Sequence, residues 1–167
     1  EGGFYIPEKV SLPNYPLPDY PQARYKTGDA YPDKWPFANQ GVTNGVIEAS
    51  IGDDAFFKGW IIYATNLPQT IPGSHASLKA AAESLDLLVV VDTMPAEITG
   101  YADVLLPECT YLERYEDLRN SPERHPSLAL REPAFETLYN SKPGWWMAKK
   151  LGERLGLGDY FPWEDYS

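Results

Sequence analysis

The sequence predicts an α/β domain: a three-layer α/β/α, Rossmann-like arrangement around a short, mainly parallel sheet, preceded by an irregular segment. Three features predict it. Leu87 to Val91 and Trp60 to Ala64 are apolar runs without alternation, the pattern of strands covered on both faces. Between them Leu78, Ala81, Ala82 and Leu85 recur at i, i+3, i+4 and i+7, the stripe of a helix packed on a sheet. Strand, helix and strand in that order imply a right-handed crossover with parallel strands.

Residues 1–36 hold seven of the sixteen prolines and five of the twelve tyrosines. Proline at that density removes ladder donors and blocks long helices. This predicts an irregular segment that lies on a surface or acts as a linker, and the most mobile part of the chain. Residues 37–158 form the expected α/β domain, and 159–167 a tail. Phe37 to Ile51 reads as a helix through Val42, Val46, Ile47 and Ala49, stopped by Gly52. Thr65 to Gly73 reads as a loop, and Ser74 as the cap of the next helix. Ala96 to Ala102 reads as a short helix and Asp103 to Leu106 as a third parallel strand. Tyr111 to Pro143 has no sustained period and is expected to be mostly loop with one or two short strands. Pro143 suits the first position of a last helix, with Met147, Ala148, Leu151 and Leu155 as its apolar stripe and Gly156 and Gly158 at its end.

The chain of 167 residues carries a net charge of −10, with 24 acidic against 14 basic side chains, so a nucleic-acid partner is disfavoured by repulsion. Cys109 is the lone cysteine, which excludes an intrachain disulfide and any all-cysteine metal or cluster site; two histidines add too little for one. Cys109 itself reads as a small, partly buried residue. No apolar run approaches a membrane span. There is no GxGxxG after the first strand, no GxxxxGK[ST] and no serine nucleophile elbow, so an ordinary dinucleotide enzyme, a P-loop enzyme or a serine hydrolase is disfavoured. Neither a catalytic residue nor a metal ligand is assigned. Paired carboxylates such as Glu113 and Glu116 read as a solvated acidic face.

The residues that carry chemistry lie where the strands end. Asp92 stands at the carboxyl end of a buried strand, where open α/β sheets bind ligands. A turn or cap role for Asp92 is the competing reading. Thr65-Asn66-Leu67 and Asp92-Thr93-Met94 leave the sheet at the same edge. Compact donors and acceptors of this kind, with exposed N–H groups, suit phosphate, and equally suit plain turn chemistry.

Asp92-Thr93-Met94-Pro95, then Thr99, then Tyr101-Ala102-Asp103-Val104-Leu105-Leu106-Pro107 with Tyr111-Leu112-Glu113-Arg114, resemble the molybdopterin oxidoreductase (DMSO reductase) family. Tyr63 to Pro68 and the helix at Trp145-Trp146 extend the likeness, which covers roughly Lys58 to Gly158. Its flavour is that of polysulfide and thiosulfate reductase catalytic subunits.

The resemblance implies that this domain helps bind a bis(molybdopterin guanine dinucleotide) molybdenum cofactor through Thr65, Asn66, Leu67, Asp92, Thr93 and Arg114. Asp92 would accept both N–H donors of a guanine edge. Arg114 would clamp a phosphate or pair with Glu113, Glu116 or Asp117. Relatives often place an acidic residue ahead of the last helix, where Lys142-Pro143-Gly144 stands here. The resemblance further implies a parent enzyme with an iron–sulfur cluster outside this segment. The parent's other domains, an iron–sulfur electron-transfer subunit and a membrane quinol-oxidising subunit would be its partners, in a periplasmic or extracytoplasmic, membrane-associated complex.

The chain reads as an excised internal piece, inactive and monomeric alone. Nitrate, formate or arsenic oxyanions are the alternative substrates. A non-catalytic protein-interaction module, using the proline- and tyrosine-rich segment, is the alternative of another class.

Overall fold

A computed structural model describes residues 19–30, 42–73, 75–121 and 125–164. Pro21–Glu108 form one compact unit, and the residues from Cys109 onward belong to a second. That boundary falls within the 37–158 span expected as one domain. Most of 1–36, the start of the 37–51 helix and the Ser74 cap lie outside the described residues.

The first unit is built on three parallel strands in the order β1 (Gly59–Tyr63), β2 (Leu87–Asp92) and β3 (Val104–Pro107). Ile61 pairs with Val89, and Val89 with Val104, so the parallel sheet expected from the apolar runs is present. Helices α1 (Thr43–Glu48), α2 (Leu67–Thr70) and α3 (His75–Ser84) connect and cover it. Ile62, Leu88 and Val90 project to one face and meet Ile47, Leu78, Ala81 and Ile98; Trp60, Ala82 and Leu85 fill the edge. Each fully buried aliphatic side chain in such a core stabilises by about 1.5–3 kcal/mol relative to exposure.

Several details differ from expectation. The described part of the first helix is only Thr43–Glu48, and the chain turns at Ser50, whose hydroxyl bonds the Val46 carbonyl at 2.8 Å and accepts from the Trp60 indole at 3.0 Å. The 65–73 loop contains α2, with Pro68 in its first turn, where a missing N–H costs nothing. Burial on both faces holds only for the central strand: Leu88 to Val91 are buried, whereas Ile61 on β1 is 65% exposed and Leu105 on β3 53%. A three-stranded sheet has one interior strand, and β1 and β3 are its edges. The 96–102 segment is a 3₁₀ turn, Glu97–Tyr101, rather than an α-helix.

The second unit carries an antiparallel hairpin, β4 (Glu116–Ser121) with β5 (Ser127–Arg131), within the region expected to be mostly loop. Its helix α4 spans Gly144–Arg154, with Pro143 as the preceding cap residue. The expected stripe is corrected here. Met147 is buried, but Ala148 is exposed, and so are Leu151 and Leu155. The helix instead buries Gly152, where any Cβ would overlap the ring of Phe161. Gly156, at φ +76°, makes the turn that allows this: Leu157 N–H bonds the Gly152 carbonyl at 2.8 Å and Gly156 N–H that of Glu153 at 3.2 Å. The chain then runs back so that Phe161 covers the glycine face.

Candidate functional site

All three strands of the first unit end at one edge, and their loops are tied together there. Tyr63 pairs with Val91, and Ala64 N–H donates to the Val91 carbonyl at 2.9 Å, so Thr65 and Asp92 leave the sheet at the same level. Ala64 makes the exit in the left-handed region, φ +49°, a conformation that costs a residue with a Cβ about 1–2 kcal/mol. Strain of this kind is tolerated where the loop geometry matters.

Asp92 closes its own turn. Its Oδ1 accepts from Thr93 N–H at 2.7 Å and Met94 N–H at 3.4 Å. No described residue donates to Oδ2. The expected turn role is thus present, and it engages one of the two carboxylate oxygens. Thr93 is exposed, its hydroxyl 3.5 Å from Asp92 Oδ1. Thr65 is half-buried and its hydroxyl donates to the Tyr63 carbonyl at 3.1 Å.

Asn66 faces inward. Its amide donates to Glu97 Oε2, and its Oδ1 accepts from Ile98 N–H at 3.3 Å. Gln69 donates to the other oxygen of Glu97 at 3.1 Å. The Asn66 amide is the chief reason that the Glu97 carboxyl is held below its ordinary pKa; its own backbone N–H and Gln69 add to the effect. Leu67 packs on the core cluster and anchors the loop. It also lines an open cleft of about 130 Å³ with Asn44, Ile47, Pro68, Ile71 and Leu78.

Two further residues join the edge. Glu108 is almost fully buried, donates its N–H to the Asp92 carbonyl at 2.9 Å and accepts from the Tyr63 hydroxyl through Oε1. This contact spans β2, from the end of β1 to the end of β3. Glu97, Tyr63 and Glu108 carry no sequence signal of these roles, because their partners lie 28 to 45 residues away. At the opposite end, Asp103 accepts from Leu88 N–H at 2.7 Å through its side chain and donates to the Leu88 carbonyl at 2.9 Å through its backbone, so it fixes β3 against β2.

Arg114 lies in the second unit. Its Nε and Nη2 both donate to Glu116 Oε1, at 3.0 and 2.8 Å, and its Nη1 to the Cys109 carbonyl at 3.2 Å. Glu116 is shared with Arg131 at 3.1 Å. Cys109 is fully buried. Glu113 caps this region: it accepts from Leu138 and Thr110 N–H groups, both at 2.7 Å, which lower its carboxyl pKa. Among the described residues, no three His, Cys, Asp or Glu side chains gather as a metal site.

The sequence matches the family described as "Molybdopterin oxidoreductase" over residues 45–154. The chain belongs to the molybdopterin oxidoreductase family. The match covers β1 to α4, and so includes every loop of the carboxyl edge. The chain is 40% identical over 133 residues to the thiosulfate reductase molybdopterin-containing subunit PhsA of Salmonella typhimurium, covering 79% of this chain and 17% of that protein. It is 32% identical over 108 residues to a nitrate reductase of Symbiobacterium thermophilum, covering 65% of this chain and 14% of that one. The structure resembles acetylene hydratase from Pelobacter acetylenicus with a TM-score of 0.63 at 21% identity, over 77% of this chain and 18% of the other, a likeness of fold.

The chain therefore spans about one-sixth of the length of these relatives. Family membership implies a molybdenum–molybdopterin cofactor. The edge fits the polar part of such a group: an Asp92 carboxylate oxygen to which no described residue donates, the exposed Thr93, and a loop at Thr65-Asn66 already held in shape.

Proposed function

We propose that this chain is the cofactor-cradling α/β domain of a molybdenum oxidoreductase of the polysulfide and thiosulfate reductase type, and that its carboxyl edge holds one guanine dinucleotide of a bis(molybdopterin guanine dinucleotide). The carrying observation is Asp92, with Oδ1 fixed by its own turn and no described residue donating to Oδ2. A guanine Watson–Crick edge presents adjacent N–H donors, which suit the two lone pairs of that second oxygen. Adenine would oppose an acceptor to it. Thr93 and the Thr65 loop supply donors beside the carboxylate, and Leu67 anchors that loop in the core. Arg114 belongs to the proposal as a phosphate ligand, although a phosphate there has to displace Glu116.

When bound, the molybdenum centre supplies two-electron chemistry toward a sulfur compound. These residues bind and orient the cofactor and do not react. Sequence likeness to the thiosulfate reductase subunit supports the sulfur-compound reading; likeness to a nitrate reductase supports the alternative that the parent reduces nitrate. The proposed parent carries an iron–sulfur cluster in another segment. It works with an iron–sulfur subunit and a quinol-oxidising membrane subunit on the extracytoplasmic side.

Asp92→Asn tests the reading in the full-length enzyme. Asparagine keeps an oxygen for the turn and turns an NH₂ outward against the guanine donor. The loss is on the order of 2–3 kcal/mol of cofactor binding. Guanine nucleotide and molybdenum per polypeptide are the readouts, and full occupancy in the variant contradicts the assignment.

A further inference from the structure

We propose that Glu97 is a positioning residue, a latch that fixes the Thr65–Leu67 loop to the segment after β2 and so sets the spacing of the two cofactor-facing loops. The proposal rests on the reading that these loops hold a guanine dinucleotide. The geometry is a closed set of hydrogen bonds between segments about thirty residues apart. Glu97 accepts from Asn66 with one carboxylate oxygen and from Gln69 with the other, at 3.1 Å, while Ile98 N–H donates to Asn66 Oδ1 at 3.3 Å. Both polar ends of the Asn66 side chain are thereby satisfied inside the protein. Its contribution to the cofactor is the shape of the loop.

The latch is exposed, and exposed hydrogen bonds of this kind add little to global stability. A ligand, however, gains directly from a loop that needs no ordering on binding. Glu97 thus acts on cofactor retention far more than on melting. The polarity of the contact gives a test. In Asn66→Asp two carboxylates oppose each other. In Glu97→Ala both acceptor oxygens are lost, whereas Glu97→Gln alone is accommodated by a flip of the exposed Gln69 amide. In the double variant Asn66→Asp/Glu97→Gln every bond is restored with one direction reversed. The new amide at position 97 donates to the new carboxylate at position 66 and accepts from Gln69. That carboxylate still accepts from the Ile98 N–H.

In the full-length enzyme carrying this sequence, the rate of guanine nucleotide loss on dialysis is measured with the melting temperature. Asn66→Asp and Glu97→Ala are each expected to lose cofactor about tenfold faster, and the double variant Asn66→Asp/Glu97→Gln to return within about twofold of the wild type, with little change in melting. A double variant as leaky as Asn66→Asp alone overturns the proposal, because it shows that the Asn66 side chain touches the cofactor. Asn66→Asp and Glu97→Ala variants that lose cofactor no faster than wild type also overturn it. A wild-type enzyme holding no guanine nucleotide overturns the cofactor reading itself, and the latch with it.

Discussion

The two units treat their apolar residues differently. Around the parallel sheet, Leu88, Val90 and Ile98 are almost fully buried against helices of the same unit, and the polar residues of the carboxyl edge are tied to one another. In the hairpin unit, Leu118, Leu128 and Leu130 are about half exposed, and Leu155 on α4 is 75% exposed. Beside the packing of Met147 and of Phe161 on Gly152, that unit carries caps and ion pairs: Glu113 on two backbone N–H groups, and Glu116 between Arg114 and Arg131. The difference shows that an apolar pattern reports burial only where a neighbouring element is present to receive it.

Paired truncations break or sharpen that comparison, and they carry the largest expected effect. Leu88→Ala in the sheet core is expected to cost about 2–5 kcal/mol in urea unfolding. Leu155→Ala, on the exposed face of α4, is expected to stay within about 0.5 kcal/mol. Equal losses would erase the distinction. Next comes Gly152→Ala, which forces a methyl into the Phe161 ring and is expected to cost about 1–3 kcal/mol, against the usual helix-stabilising sign of that exchange. A gain there would show that Phe161 does not hold this place.

Ala64→Gly is smaller and opposite in sign. It relieves the left-handed strain at the exit of β1 while making the unfolded chain freer, for a net gain of about 0.5–1 kcal/mol in thermal unfolding. Unchanged or lower stability would show that Ala64 is not strained.

The smallest effect is in pH. Glu97 in one unit and Glu113 in the other both have carboxyls lowered by the groups that donate to them, Asn66 first for Glu97 and Leu138 N–H first for Glu113. A lowered folded-state pKa contributes stability that is present above the ordinary carboxylate range and lost as pH falls through the lowered value. Carbon-detected NMR titration is expected to place both below ordinary glutamate. Asn66→Ala should raise Glu97 and leave Glu113 unmoved.

What is legible in the sequence follows the same division. The strands of the sheet are readable because unalternated Val and Leu runs have few other uses, and Leu78 and Ala81 fall on the buried face of α3 as their spacing requires. Asp92 is readable by position, at the end of the one strand buried through most of its length. Helix α2 is legible in principle, since proline in a first turn is a start signal, but four residues set no period. The face of α4 escapes a reading by apolar spacing because a glycine opposite a phenylalanine carries no apolar signal. Glu97 and Glu108 are illegible, since each acts through a partner that only the parallel pairing brings near.

The most direct measurement of the central claim is a structure of the full-length, cofactor-loaded enzyme. The guanine N1 or N2 of one dinucleotide is predicted within hydrogen-bonding distance, about 2.7–3.2 Å, of Asp92 Oδ2, with Oδ1 still closing its turn. A guanine bound elsewhere, with Asp92 facing solvent, would contradict the claim.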